Sequence, residues 1–446
     1  MWVQLEKPFS VLRQLTAASV TLLGANVAAD DNEKSEWEDW EFEAAGLIYN
    51  ESDRVTAVEG IISAVNEYQQ DHFLSYKITL DVLTGASANG AVAQPTPQTF
   101  TRPSGNGQFI VSNGVTPLDD TFKDTRVQLN FQWDKPLEDD YRLSTGAHFS
   151  REFDYTSIGF NGSLSKDLFK KNTTLSAGLS VSYDLIDPEG GRPIGFSSMV
   201  IDDGQFATPE DFQTAFDLTR QSGTDDKIVT DILLGVTQVI NRRTLMQLNY
   251  SWSNADGYLT DPFKILSIVD AGGIVQDYVY ESRPDSRTKQ SLFWQTKYHF
   301  SEGGLFDNVI ADFSYRYMWD NWEINSNTLD LKLWFPLQSG NSIEPHIRFY
   351  SQQSADFYRP FLIQSEIVSD GLPQFASADY RIGELDGITL GLKYQMQIDS
   401  EHDLSIRLEY YQQSSSDAGF AAVGVLQNLD VTPDVDAVFV QLGYSF

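Results

Sequence analysis

Seven residues, Asp81-Val82-Leu83-Thr84-Gly85-Ala86-Ser87, have the types and spacing for a group transfer onto a side-chain oxygen. Ser87 supplies a hydroxyl able to attack phosphorus and become a phosphate ester. Thr84, Gly85 and Ala86 are small, which leaves the backbone approachable, and Gly85 can take φ > 0 without a steric penalty. Asp81 and the Thr84-Gly85-Ala86 run suit recognition of the segment, since none of them is a base poised on the hydroxyl.

The order D-x-x-[S/T]-G-A-[S/T] matches the acceptor pattern read by a periplasmic flavin transferase. In chains that carry it, the last hydroxyl is joined to FMN through a phosphodiester. The pattern thus implies covalent FMN on Ser87, with Asp81, Thr84, Gly85 and Ala86 as recognition elements. The competing reading is that Thr84 to Ala91 (TGASANGA) simply starts an irregular loop of small residues. Cysteine is absent, which excludes disulfides, thiolate metal sites, iron–sulfur clusters and CxxCH haem attachment. A covalent flavin is therefore the only redox centre signalled by the sequence itself.

Other chemistry finds little support. His72, His148, His299, His346 and His402 are scattered without metal-ligand spacing, so no metal site is expected. There is no G-x-S-x-G elbow and no nucleophile–base set, and no catalytic residue is assigned. Asp119-Asp120, Asp202-Asp203 and Asp225-Asp226 lack calcium-loop spacing and read as solvated faces. Gly190-Gly191-Arg192 reads as a turn.

The motif closes a stretch of strict alternation. Leu74, Tyr76, Ile78, Leu80 and Val82 fall on one face; Ser75, Lys77, Thr79 and Asp81 fall on the other. The same period of two recurs at Val127–Trp133, Leu143–Phe149, Leu175–Tyr183, Leu329–Phe335, Ile388–Met396 and Leu404–Tyr410. It ends in Asp434–Phe446 (DVDAVFVQLGYSF), where Val438, Val440, Leu442, Tyr444 and Phe446 share a face. Strands near ten residues with aromatic ends, and a closing strand that stops on Phe446, predict an all-β single transmembrane antiparallel β-barrel. Barrel assembly machinery would read such a C-terminal aromatic. Aromatics are 13% of the chain although mean hydropathy is −0.30, as expected when lipid-facing and polar residues alternate.

Long polar segments fall at about 84–123, 185–224, 255–286, 355–385 and 416–433. Short turns fall at about 67–71, 135–140, 166–172, 240–243, 301–307, 336–342 and 399–402. The count gives about sixteen strands, with every long segment on the extracellular side and only short turns in the periplasm. It drops to fourteen if the first hairpin, 43–50 with 54–66, does not form, because Gly60 dilutes its pattern. Residues 1–29 read as a signal peptide: Lys7 and Arg13, then Leu15–Ala25, then Val27-Ala28-Ala29. Residues 30–42 read as an acidic periplasmic tail and 43–446 as the barrel. The net charge of −32 argues against nucleic acid as a partner. Inward positions carry both signs (Lys77, Asp81, Arg126, Arg142, Asp312, Arg316, Asp330, Lys332, Arg348, Lys393, Arg407, Glu409), which reads as a mutually neutralising lumen.

TGASANGA after a barrel strand, then Ser180-Val181-Ser182-Tyr183-Asp184 running into Pro188-Glu189-Gly190-Gly191, resembles an uncharacterised outer-membrane family of Proteobacteria and Bacteroidetes. That family is known only as a domain of unknown function. The resemblance spans nearly all of the mature chain and implies neighbouring genes for a flavin transferase, a small lipoprotein and a thioredoxin-like protein. The expectation is an outer-membrane barrel of a Gram-negative bacterium, set among lipids, that carries flavin and passes electrons to redox partners. A passive channel or a structural barrel without cofactor is the alternative.

Overall fold

The computed structural model describes residues 40–446, apart from 53, 138–139, 302–306, 400 and 417. The signal peptide and residues 30–39 of the acidic tail lie outside the described residues. Strand β1 already begins at Trp40, three residues inside the segment read as tail.

Among the described residues, sixteen strands close into one antiparallel barrel. They are β1 (Trp40–Glu51), β2 (Val55–Gln69), β3 (His72–Ala88), β4 (Leu118–Pro136), β5 (Tyr141–Arg151), β6 (Tyr155–Leu168), β7 (Thr173–Ile186) and β8 (Asp225–Asn241). Then follow β9 (Thr244–Gly257), β10 (Ser286–His299), β11 (Ile310–Asp320), β12 (Asn325–Pro336), β13 (Ser342–Gln352), β14 (Glu384–Gln397), β15 (Asp403–Ser416) and β16 (Val435–Ser445). The first hairpin does form. Gly60 costs it little because β2 is paired on both sides, Gly60 facing Gly46 on β1 and Leu80 on β3.

Closure joins β16 to β1, with Val440 opposite Ile48. Phe446 exchanges backbone hydrogen bonds with Phe42 at 2.9 and 3.0 Å, and their rings stack at 5.4 Å. Among the described residues the barrel sheet has no unpaired edge strand, the condition a bilayer imposes on strands. The outward face carries a belt of exposed apolar side chains such as Ile78, Leu129, Phe160, Leu179 and Leu392. So much exposed apolar surface around a closed sheet is a surface for lipid rather than water.

The inner face is polar and partly neutralised. Asp81 meets Arg126 at 2.6 Å, Lys297 meets Asp312 at 3.2 Å, and Arg407 meets both Glu344 and Glu409, at 3.1 and 3.0 Å. His346 bridges Asp330 and Glu409 at 2.8 and 3.0 Å. On the β5–β7 side the inner wall is built of small residues. The His148 ring lies over Gly159, where a Cβ would come within 2.1 Å of it. Absence of a side chain there lets polar groups lie flat along the wall instead of filling the lumen.

Connections separate by end. One end has only short turns; the other carries the five long loops, 89–117, 187–224, 258–285, 353–383 and 417–434. These loops were expected as polar excursions, but they hold the molecule's main apolar core. Phe100, Phe216, Leu266, Val269, Tyr358 and Leu426 are all fully buried. One cluster joins Ala91, Phe100 and Val111 of the first loop to Met199 of the second and Ile265, Tyr278 and Tyr280 of the third. Another joins Val92, Val269, Phe361 and Leu426, from four different loops. Ile265–Val269 pairs with Val275–Tyr280 and receives Leu362–Ile363 of the fourth loop as a parallel third strand. The loops thus knit into one cap over the barrel's mouth.

Candidate functional site

The motif lies where the barrel wall meets this cap. Thr84 to Ala88 continue β3 as strand, and the loop starts only at Asn89. Asp81 projects inward and pairs with Arg126 of β4. The Thr84 hydroxyl donates to the Thr56 carbonyl at 3.5 Å. Gly85 has φ +131°, and a Cβ there would sit 2.2 Å from the Arg54 carbonyl oxygen. That position therefore requires glycine on two counts. The Ala86 amide donates to the same Arg54 oxygen at 3.2 Å. From Gly85 to Ser87 strand β3 advances two residues while β4 advances three, from Phe122 to Asp119. This bulge leaves Ser87 on the inward series of Lys77, Thr79 and Asp81.

The third long loop supplies the group that meets Ser87. The Ile265 amide donates to the Asn89 carbonyl at 2.8 Å, which holds this loop against the end of β3. Lys264, only 4% exposed, points its ammonium at Ser87 Oγ, 3.4 Å away, and also donates to the Ala88 carbonyl. Among the described residues no carboxylate lies within 4.0 Å of it. Its charge still favours the ionised forms of Asp261, where it is the strongest such influence, and of Asp379, although both make their short contacts to arginines. Arg381 binds Asp261 at 2.5 Å and Asp379 at 2.6 Å, and Arg283 binds Asp379 at 2.8 Å. Arg381 first, then Lys264 and Arg283, hold the Asp379 carboxyl below the usual carboxylate range despite its burial.

Glu281 completes this network. It is fully buried, accepts from the Ser377 hydroxyl at 2.5 Å and from the Asp261 amide at 2.6 Å, and pairs with Arg283 at 2.6 Å. Burial is the largest influence and raises its carboxyl to about 7, against the pull of Arg283. A carboxyl whose folded value lies above its free value of 4.5 contributes stability that is complete below about 4.5 and is lost as pH rises through 7. Asp379, shifted the other way, weakens the network only on acidification below the ordinary carboxylate range. Protease resistance of the cap is therefore expected to fall between pH 5 and pH 8, and Glu281→Gln to flatten that dependence (cleavage kinetics across pH test this).

Sequence reasoning missed Lys264 because a lone lysine 177 residues from its partner carries no spacing signal. It also missed Asp124, Glu152 and Asp154, whose carboxylate oxygens converge within 4.8 Å at the cap's margin. Burial, then the adjoining Asp124, raises Glu152 to about 7, so this group shares protons rather than standing as three charges.

The fit of FMN divides in two. For the phosphate end, the residues present suit it: a hydroxyl and a buried ammonium beside it, while the Cβ-less face of Gly85 is taken by the Arg54 carbonyl. For the ring, the two cavities flanking the strand end measure about 20 Å³ each, room for roughly one water. Neither of these two cavities would take a flavin ring attached at Ser87. A cavity of about 360 Å³ opens on the outward side of β12–β15, lined by Leu329, Phe349 and Ile388, and touches none of the motif.

A family model described as "Protein of unknown function (DUF3570)" matches residues 12–446. No curated protein matches the chain. Among solved structures it is similar to a bacterial polysaccharide outer membrane secretin, at 10% identity and TM-score 0.42, covering 91% of this chain and 97% of that one. It is also similar to the CymD monoaromatic hydrocarbon channel, at 9% identity and TM-score 0.38, covering 92% and 88%. OprB of Pseudomonas putida gives 9% identity and TM-score 0.38, covering 92% and 94%. At these identities the likeness concerns the barrel fold alone.

Proposed function

Since this chain belongs to the DUF3570 family, whose function is unknown, and folds as an outer-membrane-type barrel, we propose that it is a flavin-bearing electron-transfer component of a Gram-negative outer membrane. The observation that carries this reading is the placement of Ser87. The motif's hydroxyl faces the interior at the rim of the wall, under a cap built from the chain's own loops. A bound flavin would supply one- and two-electron chemistry. The chain's residues hold its phosphate end, exclude the outside medium and leave the lumen as the approach for redox partners.

Order of assembly follows from the pairing. Asp81 to Gly85 are bonded into the wall on both sides, so the flavin transferase must meet Ser87 before β2, β3 and β4 pair. The barrel assembly machinery then closes the sheet with the ester in place. The chain itself turns over no substrate in this account. Protein produced alongside a flavin transferase should fluoresce under ultraviolet light after denaturation. Ser87→Ala should abolish the signal and leave the barrel heat-modifiable on gels; persistent fluorescence in that variant would place the flavin elsewhere.

A passive channel without cofactor is the second reading. The charge-paired inner face, with its small residues along β5–β7, favours it.

A further inference from the structure

We infer that Lys264 is the counter-ion of a phosphate ester on Ser87, so that the third long loop clamps the modified residue once the barrel has closed. The inference rests on the reading of Ser87 as an acceptor. It adds the residue that receives the product and explains an otherwise costly feature. A buried ammonium with no carboxylate in direct contact is costly to fold, and structural lysines at such depth are normally paired at short range. Lys264 instead points at the one hydroxyl that the sequence motif marks for esterification. Its charge acts on Asp261 and Asp379 from beyond direct contact, while Arg283 and Arg381 hold the short ion pairs to them.

The chemistry balances without help from Lys264. Ser87 Oγ attacks the flavin-side phosphorus of a flavin dinucleotide; the Oγ–P bond forms and the anhydride P–O bond breaks. The nucleoside monophosphate leaves with the electron pair, and the hydroxyl proton passes to solvent. The ester keeps one negative charge. In the folded barrel that charge lies beside the ammonium, which thereby gains a direct ion pair shielded from solvent.

A positioning residue of this kind has a signature that a merely structural lysine lacks: its effect depends on what Ser87 carries. The test measures protease cleavage of the cap for Lys264 and Lys264→Met chains, each with unmodified and esterified Ser87. Cleavage of a loop that opens and recloses quickly follows the population of its open form. Esterification should slow cleavage by about fivefold to tenfold when Lys264 is present, the effect of a shielded charge pair of about 1 kcal/mol. It should speed cleavage in Lys264→Met, and Lys264→Arg should restore the protection. Equal effects of Lys264→Met in both forms would overturn the inference.

A second arm is independent of flavin. Ser87→Asp places a carboxylate near the same spot and should protect the cap only when Lys264 is present. No coupling there also overturns the inference, whatever the fate of the modification. Peptide mass identifies the source of any ester, since a flavin addition fluoresces and a bare phosphoryl group does not. An unmodified Ser87 with intact Asp–Lys coupling would sink the flavin reading and leave an anion site.

Discussion

Replacing Arg283 with Met opens the cap. The guanidinium lies between Glu281 and Asp379, both almost wholly buried, and is itself buried. Its removal leaves Glu281 without a directly paired cation and Asp379 with Arg381 and the more distant Lys264. Taking one partner from a buried ion pair costs about 3–5 kcal/mol, since the charge left behind has no solvent to turn to. The network ties residues 258–285 to 353–383, so the loss concentrates there. Protease added to intact cells should cut the variant in these two loops hundreds of times faster than the parent, while the barrel keeps its heat-modifiable gel shift. Equal cleavage rates would mean that the network does not hold the cap.

The second large effect is electrical. In a planar bilayer the parent protein should be nearly silent, because the apolar core of five loops covers one mouth of the lumen. Arg283→Met should bring flickering steps, and a chain with 89–117 and 258–285 replaced by short turns should show steady ohmic ones. A polar lumen relieved of its lid conducts with little selectivity when its walls are neutralised by pairs of both signs. Large steady steps from the parent would make it an open pore and remove the case for a sheltered interior.

What the sequence revealed divides along the same boundary between wall and cap. Leu329 and Phe349, or Leu392 and Leu408, announce strands because a sheet with lipid on one side enforces a period of two. Connection lengths then set the count and the sidedness. Phe100, Tyr278 and Tyr358 announce nothing. They sit in irregular segments with no period and become a core only through contacts between distant loops. The charge network is hidden for the same reason, with Glu281 and Ser377 meeting across 96 residues. Ser87 stood out because a linear motif is local, whereas its partner Lys264 is brought to it by the fold alone. The outer-membrane lipids, the assembly machinery, the transferase and the redox partners remain expectations drawn from residue pattern and resemblance.

Peptide mapping of the protein isolated from its native outer membrane tests the central claim most directly. The account predicts that the peptide containing Ser87 carries the mass of one FMN less one water and fluoresces, and that fragmentation places the addition on the Ser87 hydroxyl. A fully unmodified Ser87 in that preparation would contradict it and leave a capped barrel without a flavin.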